Sequence, residues 1–304
     1  MTFEVIILGS SSATPIYQRH PSAQVLNIHE RFFLIDCGEG TQIQLQYYKV
    51  KYHRINHIFI SHLHGDHYLG LMGLLSTLHL QGRTADLHIY GPAPLKEILD
   101  LQFYHSQTEL RYALHFHSVT GNNNEVIYED DEIIISTIVL NHRIPCTGFL
   151  FKEKPHPRKL KKEEIAKYQI PYSALPDLKK GKDYVSDAGI IIPNSVLTED
   201  GAPALSYAYC SDTIYDNAVI NSVRGVEMLY HEATFMHEML HRAEETFHTT
   251  SQQAAEIAKR AGVKKLLIGH FSARYRELEP VLREARDIFP ETYLALEGEK
   301  FSVV

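Results

Sequence analysis

Apolar residues along this chain gather into short runs rich in β-branched and aromatic side chains, at 3–8, 32–36, 58–60, 87–90, 133–140, 205–209 and 266–268. Their length and composition predict strands. Between them, apolar positions recur at helical spacing over 69–79, 94–101, 251–261 and 279–288. Strands and helices interleaved in this way predict an α/β fold of sheets covered by helices. No internal repeat and no long disordered tract interrupts the pattern.

One stretch departs from it. Residues 152–183 carry nine Lys and one Arg against five acidic residues, a local charge of +5, while the whole chain stands at −7. Pro155, Pro157, Pro171 and Pro176 break any long helix there and leave room for one near 161–168. The stretch reads as a basic insertion projecting from the core; a solvated surface loop is the plainer alternative.

At 304 residues and 44% hydrophobic content, the chain can bury a large core without disulfide or metal staples. Residues 1–10 alternate like a strand instead of forming a basic segment before a long apolar run, so no signal peptide or membrane anchor is read and a cytoplasmic location is expected. The three cysteines, Cys37, Cys146 and Cys210, are too scattered for a disulfide framework or a Cys-rich zinc motif. They are expected as buried thiols. The net negative charge argues against a protein that coats nucleic acid nonspecifically. Histidine, at 19 residues, is the anomaly.

Three of these imidazoles and a carboxylate fall within six residues, His62, His64, Asp66 and His67, directly after the run at 58–60. Histidine suits zinc and carboxylate adds a hard ligand; the i, i+2 spacing at a strand end puts His62 and His64 on one side. Gly65 is expected to let the chain turn so that Asp66 and His67 face a second ion. Four side chains cannot saturate two ions. His142, Asp212 and His270 each follow another apolar strand run, which would bring them to ligand-bearing loops at one sheet edge.

The order His-x-His-x-Asp-His, then His142, Asp212 and His270, resembles the two-metal proteins of the metallo-β-lactamase fold. That resemblance implies an αββα sandwich over 1–304, with His62, His64 and His142 on one zinc, Asp66, His67 and His270 on the other, and Asp212 bridging. Two such ions activate water and stabilise charge on a phosphoryl oxygen, with Asp66 orienting that water or accepting its proton. More local stretches narrow the family: Leu8-Gly9-Ser10-Ser11-Ser12-Ala13-Thr14-Pro15, Asp36-Cys37-Gly38-Glu39-Gly40-Thr41-Gln42, His231-Glu232-Ala233-Thr234-Phe235, His248-Thr249-Thr250-Ser251 and His270-Phe271-Ser272-Ala273-Arg274-Tyr275. Together they resemble the ribonuclease Z family, endonucleases that trim tRNA precursors at the 3′ end. The resemblance implies two Zn²⁺ per chain, with Mn²⁺ able to substitute, a tRNA precursor as partner, a homodimer, and no membrane association. It also gives the insertion at 152–183 a meaning, because short members of the family carry an arm there that grips the tRNA; Lys159, Lys161 and Lys162 are the candidate contacts.

Simple chemistry is consistent with a phosphate substrate. Thr249 or Thr250 can cap a helix starting near Ser251, with Gln252 or Gln253 completing a capping box, and a helix N-terminus with adjacent hydroxyls binds anions. His248, just before it, could protonate a leaving 3′ oxygen, with Glu232 orienting the ring. Arg274 reads either as a phosphate contact or as the partner of an acidic core residue. Gly38 and Gly40 are expected to permit a tight turn. Two departures from the family pattern stand out: the loop Pro15-Ile16-Tyr17-Gln18-Arg19-His20 keeps Pro15 and Arg19, a further candidate RNA contact, but lacks the family's Lys and Asn, and 171–176 lacks its Gly-Pro-rich tip. The competing readings are a phosphodiesterase of the same fold acting on small or cyclic nucleotides, and an RNA-binding protein with a degenerate metal site.

Overall fold

The computed structural model describes residues 2–303; Met1 and Val304, the limits of the range read from sequence as one domain, lie outside the described residues. The chain forms β1 (Phe3–Gly9), β2 (Ala23–Ile28), β3 (Arg31–Ile35), β4 (Ile55–Phe59), β5 (Leu87–Gly91) and β6 (Leu114–Ser118). There follow β7 (Val126–Glu129), β8 (Ile133–Leu140) and β9 (Cys146–Glu153), then the short β10 (Lys159–Leu160), β11 (Tyr184–Val185), β12 (Ile191–Ile192) and β13 (Thr198–Glu199). The chain closes with β14 (Ser206–Cys210), β15 (Met228–Glu232), β16 (Lys265–Gly269), β17 (Thr292–Leu294) and β18 (Lys300–Ser302).

Two seven-stranded sheets result, ordered β18-β1-β2-β3-β4-β5-β6 and β17-β16-β15-β14-β9-β8-β7. In the first, β1 to β3 pair antiparallel and β3 to β6 parallel; in the second, β14 to β17 are parallel. Several strands escape the apolar pattern because their polar residues serve the interior. In β2, Gln24 and Asn27 are both buried; Gln24 Oε1 accepts the Tyr207 hydroxyl, and Asn27 donates to Glu4. His115 and His117 disguise β6 for another reason, since both are exposed, His117 stacking on Tyr90 and His115 on His88.

The facing sides of the sheets meet through aromatic rings. Phe33 lies 5.8 Å from Phe151 and Phe59 lies 5.4 Å from Phe149, both edge-on, the geometry that the ring quadrupole favours. Helices cover the outer faces. Leu74, Leu75 and Leu78 of helix Leu71–Leu80 pack with Leu95 and Leu99 of Pro94–Ser106 over Ile58 and Ile89. On the other side, Ala254, Ile257 and Ala258 of helix Ser251–Ala261 join Val281 of Glu279–Arg286 over Leu229, Leu266 and Ile268. Helix, sheet, sheet, helix is the αββα sandwich expected from the ligand order.

Within 2–303 the chain divides into two compact units, one of 2–129, 135–151 and 205–303, the other of 130–134 and 152–204. The second unit corrects the picture of a loop with one helix. Besides helix Lys162–Lys167 it holds Leu175–Lys179, where Pro176 sits in the first turn and costs no hydrogen bond, and Asn194–Leu197. Ile170, Leu178 and Leu197 are buried together under Leu160, Ile165, Tyr184 and Ile192. The unit continues past Asp183 to Ala204 and includes Asp130, Asp131 and Glu132, so it carries ten basic against eleven acidic residues. The surplus of +5 is thus a property of 152–183 and not of the folded unit. No helix among the described residues is long and apolar enough to cross a membrane.

Candidate metal centre

Six residues of one polar network follow or end strands on the same side of the two sheets: Asp36 after β3, His62 after β4, His142 after β8, Asp212 after β14, Glu232 at the end of β15, and His270 after β16. Carboxyl ends of parallel strands are where α/β sheets place their ligands. The side chains converge. His62 Nε2 and His142 Nε2 each lie 3.1 Å from His64 Nδ1, and Asp212 Oδ2 lies 3.5 Å from the first and 3.7 Å from the second. Beside this group, Asp66 Oδ2 stands 3.5 Å from His67 Nε2 and 3.3 Å from His270 Nε2. Asp212 Oδ1 is 3.4 Å from His67 Nε2 and 3.3 Å from His270 Nε2. One oxygen of Asp212 therefore faces each group, the arrangement of a bridging ligand.

The donor set fits two divalent ions. Neither His67 Nε2 nor Asp212 Oδ1 has a hydrogen-bond partner although both are buried, a costly state for polar atoms unless they have a ligand to bind. Burial pushes His64 and His142 down to about 4, leaving neutral imidazoles, the form that coordinates. Burial works against the Asp66 carboxylate, but His67 and His270 hold it well below the usual carboxylate range. Imidazole nitrogens with carboxylate oxygens in this number suit zinc and accept manganese.

The second ring nitrogens fix which atoms are free to bind. His142 Nδ1–H donates to the Phe247 carbonyl at 2.9 Å, so its Nε2 keeps a lone pair. His67 Nδ1 donates to Asp36 Oδ2 at 2.8 Å. Ser61 Oγ donates to the same carboxylate at 2.9 Å and so accepts from His62 Nδ1 at 3.0 Å. Thr234 Oγ1 donates to Glu232 Oε2 at 2.7 Å and accepts from His270 Nδ1 at 2.8 Å. Two buried carboxylates, Asp36 and Glu232, thereby orient three of the ligand imidazoles, directly or through a hydroxyl.

His248 and Glu232, the pair read from sequence as proton donor and its orienting carboxylate, are in contact. His248 Nδ1 lies 2.9 Å from Glu232 Oε1, leaving the other ring nitrogen free. Burial opposes protonation of this ring, but the fully buried Glu232 carboxylate outweighs it and raises His248 to about 9. Burial likewise opposes ionisation of Glu232, and His248 reverses that by charge and hydrogen bond. His248, Asp66, Asp212 and His270 line a cavity of about 310 Å³ together with Arg143 and Glu39.

Other expectations are corrected. Thr250 and Gln253 do form the capping box, but the Thr250 hydroxyl is buried and accepts the Gln253 amide, and the Thr249 hydroxyl donates to the Thr213 carbonyl at 2.6 Å. Neither hydroxyl is open to a phosphate. Arg19 is buried too, and its guanidinium donates to the Tyr275 carbonyl at 2.8 Å, joining its loop to the one after His270 in place of an RNA contact. Among the described residues Arg274 has no acidic core partner; it lies exposed, donating to the Ser272 hydroxyl at 3.1 Å, with its guanidinium 5.0 Å from the Phe235 ring centroid. Gly65 opens a short helix, Gly65–Tyr68, that carries Asp66 and His67. Gly40 has the left-handed φ of 82° expected of a turn, whereas Gly38 serves close approach: a Cβ there would lie 2.4 Å from the Asp66 carbonyl. In the second unit Lys159 and Lys162 are exposed, while Lys161 Nζ donates to the Ser195 carbonyl at 2.8 Å.

Sequence reasoning gave no role to Asp36, Thr234, Arg143 or Ala13, although all but Arg143 lie in the stretches that carry the family resemblance. The Ala13 amide, at a φ of 61°, donates to Asp66 Oδ2 at 2.7 Å. Arg143 carried a signal, since it directly follows a predicted ligand; a backbone amide carries none.

Comparison with known proteins agrees with this geometry. Residues 3–155 match the family described as anti-Pycsar protein Apyc1. The chain is 48% identical over 296 residues to Ribonuclease Z of Bacteroides thetaiotaomicron, covering 97% of this chain and 94% of the relative. It is 50% identical over 301 residues to Ribonuclease Z of Phocaeicola vulgatus, covering 99% and 97%. Among solved structures, human tRNase Z, short form, aligns with a TM-score of 0.72 and 27% identity over 99% of both chains.

Substitution of Asp36 tests how far the buried carboxylates govern the metal centre. Asp36→Asn keeps the shape but sets an amide donor against Ser61, His67 and Tyr209. Weaker retention of metal by about 10–100-fold is expected in chelator competition, with the far-ultraviolet circular dichroism of the wild type. Unchanged retention would show that the ligands orient themselves.

Proposed function

The chain belongs to the ribonuclease Z family, with residues 3–155 shared with the family of Apyc1, and from that premise we propose how its residues process tRNA precursors. It is a metal-dependent endoribonuclease of tRNA 3′ processing. The observation that carries the mechanism is one cavity wall on which His248, held by the buried Glu232, stands beside His64, Asp66, Asp212 and His270 of the seven-residue ligand cluster. A phosphodiesterase restricted to small or cyclic nucleotides is not favoured, because the relatives that match over nearly the whole chain are named Ribonuclease Z.

Two zinc ions per chain are the proposed cofactors, His62, His64 and His142 holding one, Asp66, His67 and His270 the other, and Asp212 both, with Mn²⁺ able to replace them in assay. Bound there, they supply a water of lowered pKa and positive charge against the phosphoryl oxygens. Asp66, tied down by the Ala13 amide, orients the water or takes its proton. Attack on phosphorus breaks the bond to the 3′ oxygen of the tRNA. His248, charged below about 9, gives its proton to that oxygen, leaving a 3′-hydroxyl on the tRNA and a 5′-phosphate on the trailer. Glu232 keeps His248 protonated and aimed. Arg274, exposed over Phe235, is a proposed phosphate contact.

The second unit is the proposed tRNA-binding arm. Among the described residues Lys159, Lys162, Lys179 and Lys180 have no acidic partner, and the last two line a cleft of about 610 Å³ in which Arg158 pairs with Asp200. A homodimer is proposed on the exposed Ile43 and Tyr47, one turn apart on helix Thr41–Tyr47. Cytoplasmic action follows from the substrate.

A precursor tRNA with a 3′ trailer, incubated with the metal-loaded protein, should be cut to a 3′-hydroxyl and a 5′-phosphate, as mapping of both product ends will read. His248→Ala should slow single-turnover cleavage by about 10²–10⁴ with metal content kept. Glu232→Gln removes the charge that raises His248, so the alkaline limb of kcat should move to lower pH. An unmoved limb would separate Glu232 from the proton donor.

Replacement of 152–204 by a short Gly-Ser bridge joins β9 to β14, already neighbours in their sheet, and removes no proposed ligand. KM for the precursor should rise far more than KM for bis-p-nitrophenyl phosphate. Every lysine–phosphate pairing removed should flatten the salt dependence by about 0.7–0.9 in slope. Parallel losses on both substrates would instead make the unit a support of the metal centre.

Sedimentation should find the wild type dimeric and Ile43→Glu/Tyr47→Glu monomeric. A monomeric wild type would overturn the dimer.

A further inference from the structure

We infer that Arg143 is the binding site for a backbone phosphate of the RNA strand next to the one being cut. The inference rests on the endoribonuclease reading and adds to it a substrate contact made by the first unit itself.

Arg143 follows the ligand His142 in the loop after β8 and lines the cavity of about 310 Å³ that holds the metal ligands and His248. The other groups on that wall that can carry positive charge are committed. His64 and His270 turn ring nitrogens into the ligand cluster, and His248 is held by Glu232 at 2.9 Å. Arg143 differs from all three: it is exposed, and among the described residues it has neither an ion pair nor a hydrogen bond. Its guanidinium keeps five N–H donors for a planar anion, and a phosphodiester is the anion an RNA strand presents repeatedly.

Its place at the exposed part of the wall selects which phosphate. Of the ligand side chains that line the cavity, Asp212 and His270 are each 2% exposed, and His64 and Asp66 are half-buried, all less open than Arg143. A phosphate engaged by them sits at the floor of the cavity. Arg143, in solvent, meets the strand where it enters or leaves. The chain is thus read as holding its substrate by two separate means, contacts on the second unit and one exposed cation beside the metal centre. Glu39, on the same cavity wall, repels phosphate, so this subsite depends on a single positive group. A solvated arginine with no ligand is the alternative.

The test uses the metal-loaded full chain, a precursor tRNA with a 3′ trailer, and bis-p-nitrophenyl phosphate, which has no neighbouring phosphate. Arg143→Gln should raise KM for the precursor about 5–20-fold, with a smaller change in kcat, as expected for one charge-assisted contact. Its salt dependence should flatten by about 0.7 in slope, one released counterion on a single strand. The loss on the small ester should be well below that on the precursor, and metal content should hold. Arg143→Lys, which keeps the charge but not the fork, should restore the salt slope and only part of KM. An unmoved KM and salt slope in Arg143→Gln, with the wild type active, would overturn the inference alone. Equal losses on both substrates would also overturn it and place Arg143 at the reacting group. A wild type that leaves the precursor intact would overturn the functional reading, and this inference with it.

Discussion

The candidate metal centre depends on a carboxylate that lies outside its ligand set. Asp36 is fully buried just after β3, in a left-handed backbone conformation with φ of 54°. It accepts hydrogen bonds from the Ser61 amide at 2.8 Å, the Ser61 hydroxyl at 2.9 Å, His67 at 2.8 Å and the Tyr209 hydroxyl at 2.6 Å. A buried carboxylate without such partners would cost several kcal/mol, so the fold must deliver all of these donors together. Ser61 and His67 come from the loop after β4, Tyr209 from β14 in the opposite sheet. Satisfying one charge therefore fixes the ligand loop, the tautomers of His62 and His67, and the approach of the two sheets.

Glu232 does the same for the other half of the site. It too is fully buried, and it receives the amides of Thr213, Thr234 and Thr249 at 3.0–3.1 Å as well as the Thr234 hydroxyl and His248. Thr213 adjoins the bridging Asp212, and Thr249 adjoins the proton donor. The loops after β14 and β15 and the entry to helix Ser251–Ala261 are thus gathered on one carboxylate. The capping box of Thr250 and Gln253 starts that helix at the residue that leaves His248 facing the ligands.

The cluster of candidate metal ligands was legible in the sequence because its members are reactive residue types placed soon after apolar strand runs, a pattern that survives without knowledge of the fold. His62 and His270 show it most clearly. Asp36 follows a run in the same way, yet a carboxylate after a strand is common, and its four donors lie too far away in sequence to be counted. Thr249 and Thr250 were read as phosphate contacts because hydroxyls at a helix start bind anions; burial, which no local pattern carries, spends both on internal hydrogen bonds. Arg19 misled for the same reason. The second unit was recognised by charge and was therefore bounded by charge, at Asp183, whereas packing carries it to Ala204 through Leu197, Ile192 and Tyr184.

The proposed proton donor His248 and the proposed metal ligand His270 are not independent in this arrangement. Thr234 Oγ1 accepts from His270 Nδ1 at 2.8 Å, lies 3.3 Å from His248 Nδ1, and donates to Glu232. The negative charge that raises His248 also polarises Thr234, which strengthens the lone pair that His270 turns toward its site. A change in the Glu232 charge would therefore reach His248 directly and His270 through the Thr234 hydroxyl. One carboxylate thereby sets donor acidity and ligand basicity against each other, which is why a conservative change at Glu232 cannot alter one without the other.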